Sequence, residues 1–313
     1  MGSDGQVRVL FCDACGAPLD ARAFDAFVLC RYCSSNNAIG APSASAILDD
    51  GRPRVNVGGR TYVIEGKLAR GDASDVYRAR WATRLGELVV LRVNRSSRDA
   101  DHVRRGVTSL EQIWRSADPR WARITARLPR PIALGPVTRD GIERQVAVVE
   151  WRSGFVHSLA DVAAAWPSGI DGRIGVWILR RVFEALAVVH RAGLAHGAVL
   201  PKHVLVHPRD HGATLCGFGS TVEIGERIPG IVAPFASFYP ADRRAMPKVD
   251  HAQAARTVSS LCTFAEPVAS FVRRVAAGQA DADGFLLTEE LAVHSRAAYG
   301  PPAYNPLPMP GWR

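Results

Sequence analysis

The stretch Leu194–Ser220, LAHGAVLPKHVLVHPRDHGATLCGFGS, decides the fold. Val204–His207 and Thr214–Gly217 are short apolar runs, and Pro208–Gly212 between them is a turn by composition, so the segment reads as a β-hairpin. His196 and His203 stand seven residues apart before it, and Gly217-Phe218-Gly219 closes it. Upstream, Arg173–Arg191 has the length and apolar content of a long core helix, with Ser158–Trp166 a shorter one. Tyr62–Ala69 and Val76–Trp81 read as strands around a turn at Arg70–Asp75. Leu88–Val93 is a buried strand, Asp101–Trp114 has helical spacing through Val103, Val107, Leu110 and Trp114, and Ala147–Glu150 ends another strand. A β-rich front followed by a helical rear is an α+β arrangement in two lobes.

Composition narrows the classes. The chain has 313 residues, 47% of them hydrophobic and 22% charged, enough for a full core and unlike a disordered chain or a disulfide scaffold. The formal charge is +9, but only Lys67, Lys202 and Lys248 are lysines, as arginine-rich, GC-biased coding gives. Residues 1–59 hold five Arg and six Asp, so the front of the chain is not a basic arm. The longest apolar run, Ile174–Val189, contains Arg180 and Arg181 and reads as a core helix, not a membrane span. With no apolar leader, the expected location is cytoplasmic.

Cys12-x2-Cys15 and Cys30-x2-Cys33 have the spacing of two thiolate knuckles on two hairpins, the closed tetrahedral set of structural zinc. Gly16 follows the first pair, and Phe24, Phe27 and Leu29 offer a small apolar patch. The expected unit is a zinc ribbon over 1–40, its near-neutral charge favouring protein contact. Residues 41–59, rich in Ser, Ala, Gly and Pro, read as a flexible linker. Cys216 and Cys262 lie in apolar runs and read as core cysteines.

The order of these elements resembles the protein kinase fold over residues 60 to about 295, in the manner of a bacterial-type Ser/Thr pseudokinase. The resemblance implies an N-lobe over 60–149, a C-lobe over 150–295 with an abbreviated end, and a Pro-rich tail over 296–313. It identifies His196–His203 with the catalytic loop, Gly217-Phe218-Gly219 with the metal-binding turn and Tyr239-Pro240-Ala241-Asp242 with the end of the activation segment. Asp250 takes the place of the aspartate that opens a central helix and holds the catalytic-loop backbone.

The same correspondence implies lost chemistry. The base position is Ala198, the two Mg²⁺ ligand positions are His203 and Gly217, and imidazole suits hard Mg²⁺ poorly. The strand lysine is Arg92, its glutamate partner aligns with Gly106, and Glu111 faces elsewhere. The first turn keeps one of three glycines, Gly71, beside Ala69 and Ser74. Val90 narrows the adenine side, Lys67 is a candidate replacement cation, and Gly197 replaces the arginine that reads a phosphorylated activation loop. Gly71 and Arg92 are what remains of a nucleotide cleft, and ATP and Mg²⁺ are not expected to bind.

The expected function is a catalytically inactive kinase-like regulator or scaffold acting through a protein partner. Alternatives are a divergent Ser/Thr kinase or other phosphotransferase with a non-standard site, and a nucleic-acid-binding regulator, which the charge of residues 1–59 disfavours. His196, His203, His207 and His211 crowd one region but are not expected to converge on a metal. The tail, YGPPAYNPLPMPGWR, either packs back or offers a peptide. Exposing Tyr299, Tyr304, Leu307, Met309 and Trp312 is costly, which favours packing.

Overall fold

The computed structural model describes residues 10–11, 17–19, 27–32, 36–38, 52–82, 87–139 and 141–309. At the front, β1 (Leu10–Phe11) pairs antiparallel with β2 (Pro18–Leu19), and β3 (Phe27–Leu29) with β4 (Asn36–Ala38). Each hairpin spans one Cys-x-x-Cys pair. Cys12, Cys15 and Cys33 lie outside the described residues. Cys30 is buried with Ala17 and Leu19, and its sulfur accepts the Tyr32 N–H at 3.4 Å. Tyr32 and Val156 pack on this cluster, so the front module rests on the C-lobe.

Arg54–Val57, which the sequence assigns to the linker, instead forms β5, the edge strand of the N-lobe sheet. Gly58 and Gly59, with φ of +58° and +75°, turn it directly into β6 (Arg60–Arg70), so Val57 faces Arg60 across a two-residue hairpin loop. Two consecutive positive φ values are what such a loop needs and what glycine supplies. Val57 is buried, so this segment is part of the core and not of the linker.

The sheet continues through β7 (Ser74–Trp81), β8 (Leu88–Asn94), β9 (Pro131–Arg139) and β10 (Ile142–Glu150), in the order β5-β6-β7-β8-β10-β9, antiparallel throughout. Helix α1 (Ala100–Arg115) lies against it, burying Val103 and Val107 on Ala147. A short helix, α2 (Ala122–Thr125), leads back to the sheet.

In the C-lobe, β11 (His157–Ser158) leads into α3 (Leu159–Ala165), where Ser158 and Asp161 form a reciprocal cap. Helix α4 (Gly172–Arg191) is the central post: Ile178, Leu179, Val182, Phe183 and Leu186 are fully buried. The small strands β12 (Leu194–Ala195), β13 (Val204–His207), β14 (Gly212–Leu215) and β15 (Val222–Glu223) follow, with β13 and β14 forming the hairpin read from the sequence. Helices α5 (Pro247–Ser259), α6 (Val268–Ala276) and α7 (Gly284–Tyr299) complete the lobe around the α4 core. Ser260–Pro267 carry no helix.

The tail packs. Helix α7 runs to Tyr299, so residues 296–299 belong to it, and the chain then returns across α3 and α4. Leu307 and Met309 are 2% and 6% exposed. The indoles of Trp166 and Trp177 donate to the carbonyls of Pro308 and Asn305 at 2.8 and 3.2 Å. His211, in the β13–β14 turn, is stacked between Trp177 and Tyr304, with centroids 4.9 and 4.4 Å away, and its Nε2–H donates to the Asn305 carbonyl at 2.7 Å. Beside it, the Arg209 carbonyl accepts from the Tyr304 hydroxyl while the Arg209 guanidinium donates to the Arg31 carbonyl. His207 meets Tyr32 edge-on at 6.0 Å. His207 and His211 are thus absorbed in packing, apart from His196 and His203.

Candidate functional site

The site begins with the first turn of α5. The buried Asp250 carboxylate accepts the backbone N–H of His196 at 2.7 Å, that of Gly197 at 2.8 Å and Nε2–H of His190 at 2.9 Å. Burial alone would raise this carboxyl, but the hydrogen bond and charge of His190, with the amide donors, hold it below the usual carboxylate range. One and two turns on, Gln253 Oε1 accepts from the Val199 N–H at 2.9 Å, and the Thr257 hydroxyl donates to the Val199 carbonyl at 2.8 Å. Three side chains of one helix therefore fix the backbone of residues 196–199.

Burial lowers the pKa of His196. Its Nε2–H donates to the Cys216 carbonyl at 2.9 Å, its Nδ1 accepts from the Ala198 N–H, and its ring meets Phe218 edge-on at 4.8 Å. Gly197 has φ +73°, and a Cβ there would lie 2.8 Å from the Ser220 carbonyl oxygen, so the position admits no arginine without rearrangement.

The positions that would carry chemistry are filled differently. Ala198 is 0% exposed, so a reacting group cannot touch it. His203 turns its Nδ1–H onto the Ala198 carbonyl at 2.8 Å, and burial pushes its imidazole down to about 3. Gly217 adopts φ +82°, and a Cβ on it would sit 2.6 Å from the His203 ring. A carboxylate at 217 and the present His203 ring exclude one another. Cys216, adjacent, is a thiol raised to about 11 by burial and so is not a nucleophile at neutral pH.

On the N-lobe side the turn Gly71–Ala73 is pinned. Gly71 N–H donates to the Ser74 carbonyl at 2.9 Å, Arg95 N–H to the Ala73 carbonyl at 3.0 Å, and the Arg95 guanidinium to the carbonyls of Gly71 and Asp72, both at 3.2 Å. This turn presents carbonyl oxygens to a cation, where a phosphate cradle presents amide hydrogens.

Arg92 reaches the Ser74 hydroxyl at 3.5 Å, and among the described residues no carboxylate pairs with it. Burial lowers its pKa. A Cβ on Gly106 of α1 would lie 3.4 Å from Arg92 Nη1 and 3.3 Å from the Gly219 nitrogen. A glycine inside a helix costs about 1 kcal/mol relative to alanine. Here it lets the helix approach both the guanidinium and the Phe218–Gly219 backbone. Arg105 donates to the Gly219 carbonyl at 2.9 Å, and the His102 ring occupies the space a side chain on Gly219 would need. Burial, with the charges of Arg92 and Arg105, pushes His102 down to about 4. Helix α1 is thus clamped to the 217–220 turn without the ion pair whose partners are missing.

Lys67 pairs with Asp75 at 2.9 Å across the β6–β7 hairpin, beside Tyr77. Glu111 lines a recess of about 300 Å³ with Trp114, Arg115 and Arg130, not with Arg92. Asp242 is exposed and caps the Arg244 N–H at 2.9 Å; among the described residues it makes no ion pair. The roles of Arg95, His102, Arg105, His190, Gln253 and Thr257 carry no local sequence signal. Each depends on a partner brought in by the fold.

The model of the lipopolysaccharide kinase (Kdo/WaaP) family matches residues 95–218 of this chain. Among solved structures, vaccinia related kinase 3 is similar at 13% identity and TM-score 0.58, covering 85% of this chain and 98% of that one. The BubR1 kinase domain matches at 11% identity and TM-score 0.58, covering 79% and 83%. A Toxoplasma gondii rhoptry antigen kinase domain matches at 16% identity and TM-score 0.51, covering 80% and 90%. The chain has a protein-kinase-like fold. Among the described residues no helix is long and apolar enough to cross a membrane.

Proposed function

We propose that this chain is a catalytically inactive kinase-like protein that acts as a regulator or scaffold through protein contacts, with structural zinc held by Cys12, Cys15, Cys30 and Cys33. The observation that carries the reading is the His203 ring in the space a side chain at 217 would need, next to an Ala198 buried from any substrate. Phosphoryl transfer requires metal ions and a group that receives or orients the hydroxyl proton. The residues present do not fit Mg²⁺: position 217 has no side chain, position 198 no carboxylate, and the His203 Nδ1–H is spent on a carbonyl. For zinc, the spacing of the four cysteines and the N–H···S bond on the buried Cys30 support a thiolate set.

The second reading is a divergent phosphotransferase, favoured by the match of residues 95–218 to a kinase family whose name specifies lipopolysaccharide as what is phosphorylated. One experiment separates the two. Thermal unfolding with ATP, with and without Mg²⁺ or Mn²⁺, combined with a phosphate-release assay, gives no metal-dependent rise and no turnover if the site is inactive. A metal-dependent rise with turnover establishes the phosphotransferase instead.

A further inference from the structure

A second concentration of charge lies outside the cleft, where α4 faces the end of α2. Glu184, with its side chain 9% exposed, accepts Arg181 Nη1 on its two oxygens at 2.9 and 2.7 Å. The same carboxylate accepts Arg127 Nη1 at 3.1 Å and Arg180 Nε at 3.3 Å. Among the described residues no other carboxylate pairs with these three arginines. Three positive charges therefore converge on one negative charge, leaving two uncompensated.

The guanidinium groups are held in position and still have donors to offer. A guanidinium carries five N–H groups. Arg127 commits only Nη1 and Arg180 only Nε; Arg181 commits Nη1 to Glu184 and Nε to the His211 carbonyl at 3.2 Å, leaving Nη2. The Arg127 backbone is fixed by the Thr214 hydroxyl, which donates to its carbonyl at 2.6 Å, and by its own N–H on Ile124. The side chains of Arg127, Arg180 and Arg181 are 31%, 50% and 27% exposed, so a solute can reach them. Burial and the charge of Arg181 lower the Arg127 pKa, the cost of a like-charge cluster that an anion would relieve.

We propose that Arg127, Arg180 and Arg181 form a binding site for a tetrahedral dianion, an inorganic phosphate or a phosphate monoester. Two uncompensated charges match a group carrying close to two negative charges at neutral pH, and planar guanidinium forks match its oxygens. Glu184 acts as a pedestal that aligns the three arginines. This site is independent of the inactive cleft.

The test is a titration of the full chain with inorganic phosphate at pH 7.5, read by calorimetry and by the unfolding midpoint, against chloride at matched ionic strength. The expected result is saturable binding absent with chloride. Arg180→Ala, which removes an exposed side chain held by one long bond, should weaken binding at least about fivefold, since a charge-assisted hydrogen bond is worth more than that factor. Glu184→Gln should lower the unfolding midpoint, because it removes the one negative charge among three guanidinium groups, and phosphate should restore the midpoint towards that of the unaltered chain. O-phosphoserine as a second probe separates the sources: tighter binding than phosphate assigns a monoester, weaker binding a free ion. A response equal to that of chloride, or phosphate binding unchanged in Arg180→Ala, overturns the proposal.

Discussion

Two sets of atoms within the segment His196–Gly217 differ in what holds them. The backbone of residues 196–199 is gripped by Asp250, Gln253 and Thr257, and His196 ties it to Cys216 and Phe218. The side-chain positions on the same segment, 198, 203 and 217, carry a methyl group, an inward-turned imidazole and a hydrogen. The contrast teaches that the hydrogen bonds building this loop are separable from the groups that would do chemistry on it. Folding demands the first set, because a buried N–H without an acceptor is costly. Nothing in folding demands the second.

Asp250→Ala tests the first half and should have the largest effect. It strands the amides of His196 and Gly197 and the ring of His190, a loss of about 3–5 kcal/mol by analogy with breaking a buried ionic pair, measured by chemical denaturation. A loss under 1 kcal/mol would break the comparison.

Acid should weaken the fold through its buried imidazoles. His203 and His251 are held at about 3 and His102 at about 4, below the value near 6.5 of an unfolded chain. Between those limits the unfolded chain binds more protons, so stability falls as pH drops from about 6.5 towards 4. A fall of about 2–3 kcal/mol per imidazole by pH 4.5 is expected, and His203→Phe should remove one such share. Flat stability over that range would mean that these rings are solvated.

Gly217→Asp sharpens the second half. Alone it should cost about 1–3 kcal/mol, as overpacking does, and give no Mg²⁺-dependent ATP shift. Paired with His203→Asn, which shortens the opposing side chain, the cost should fall by about 1 kcal/mol in a double-mutant cycle. Additive costs would show that the ring and position 217 do not compete. The smallest effect belongs to Arg95→Ala: under about 1 kcal/mol in stability, as for exposed polar contacts, with faster hydrogen exchange at the Gly71 and Ser74 amides.

The sequence made the fold legible because kinase-like order survives in residues that serve packing. His196, Phe218 and Asp250 announce the loop, the turn and the central helix even where the residues between them have changed. The absence of a functional group at positions 198 and 217 is equally plain, since alanine and glycine carry none whatever surrounds them. What packs around those positions is not legible. His203 reads as a poor Mg²⁺ ligand, yet its place against Gly217 depends on a hairpin closing over it, which spacing cannot express. The strand Arg54–Val57 hid behind linker-like composition, although the Gly58-Gly59 pair between alternating residues was a local hairpin signal. Asp242 matches the end of the activation segment by its motif and is an exposed cap, because its position agrees while, among the described residues, no cation pairs with it.

The turn Pro208–His211 carries one more consequence. A hairpin turn is ordinarily the cheapest place to lengthen a chain, since it is exposed and few contacts cross it. In this molecule the flank before the kinase-like lobes and the flank after them both come to rest on it, through Arg31 and Tyr304 on Arg209 and through Asn305 on His211. An inserted tag or epitope at this turn would unfasten both flanks together, so a loop that looks permissive for engineering is not.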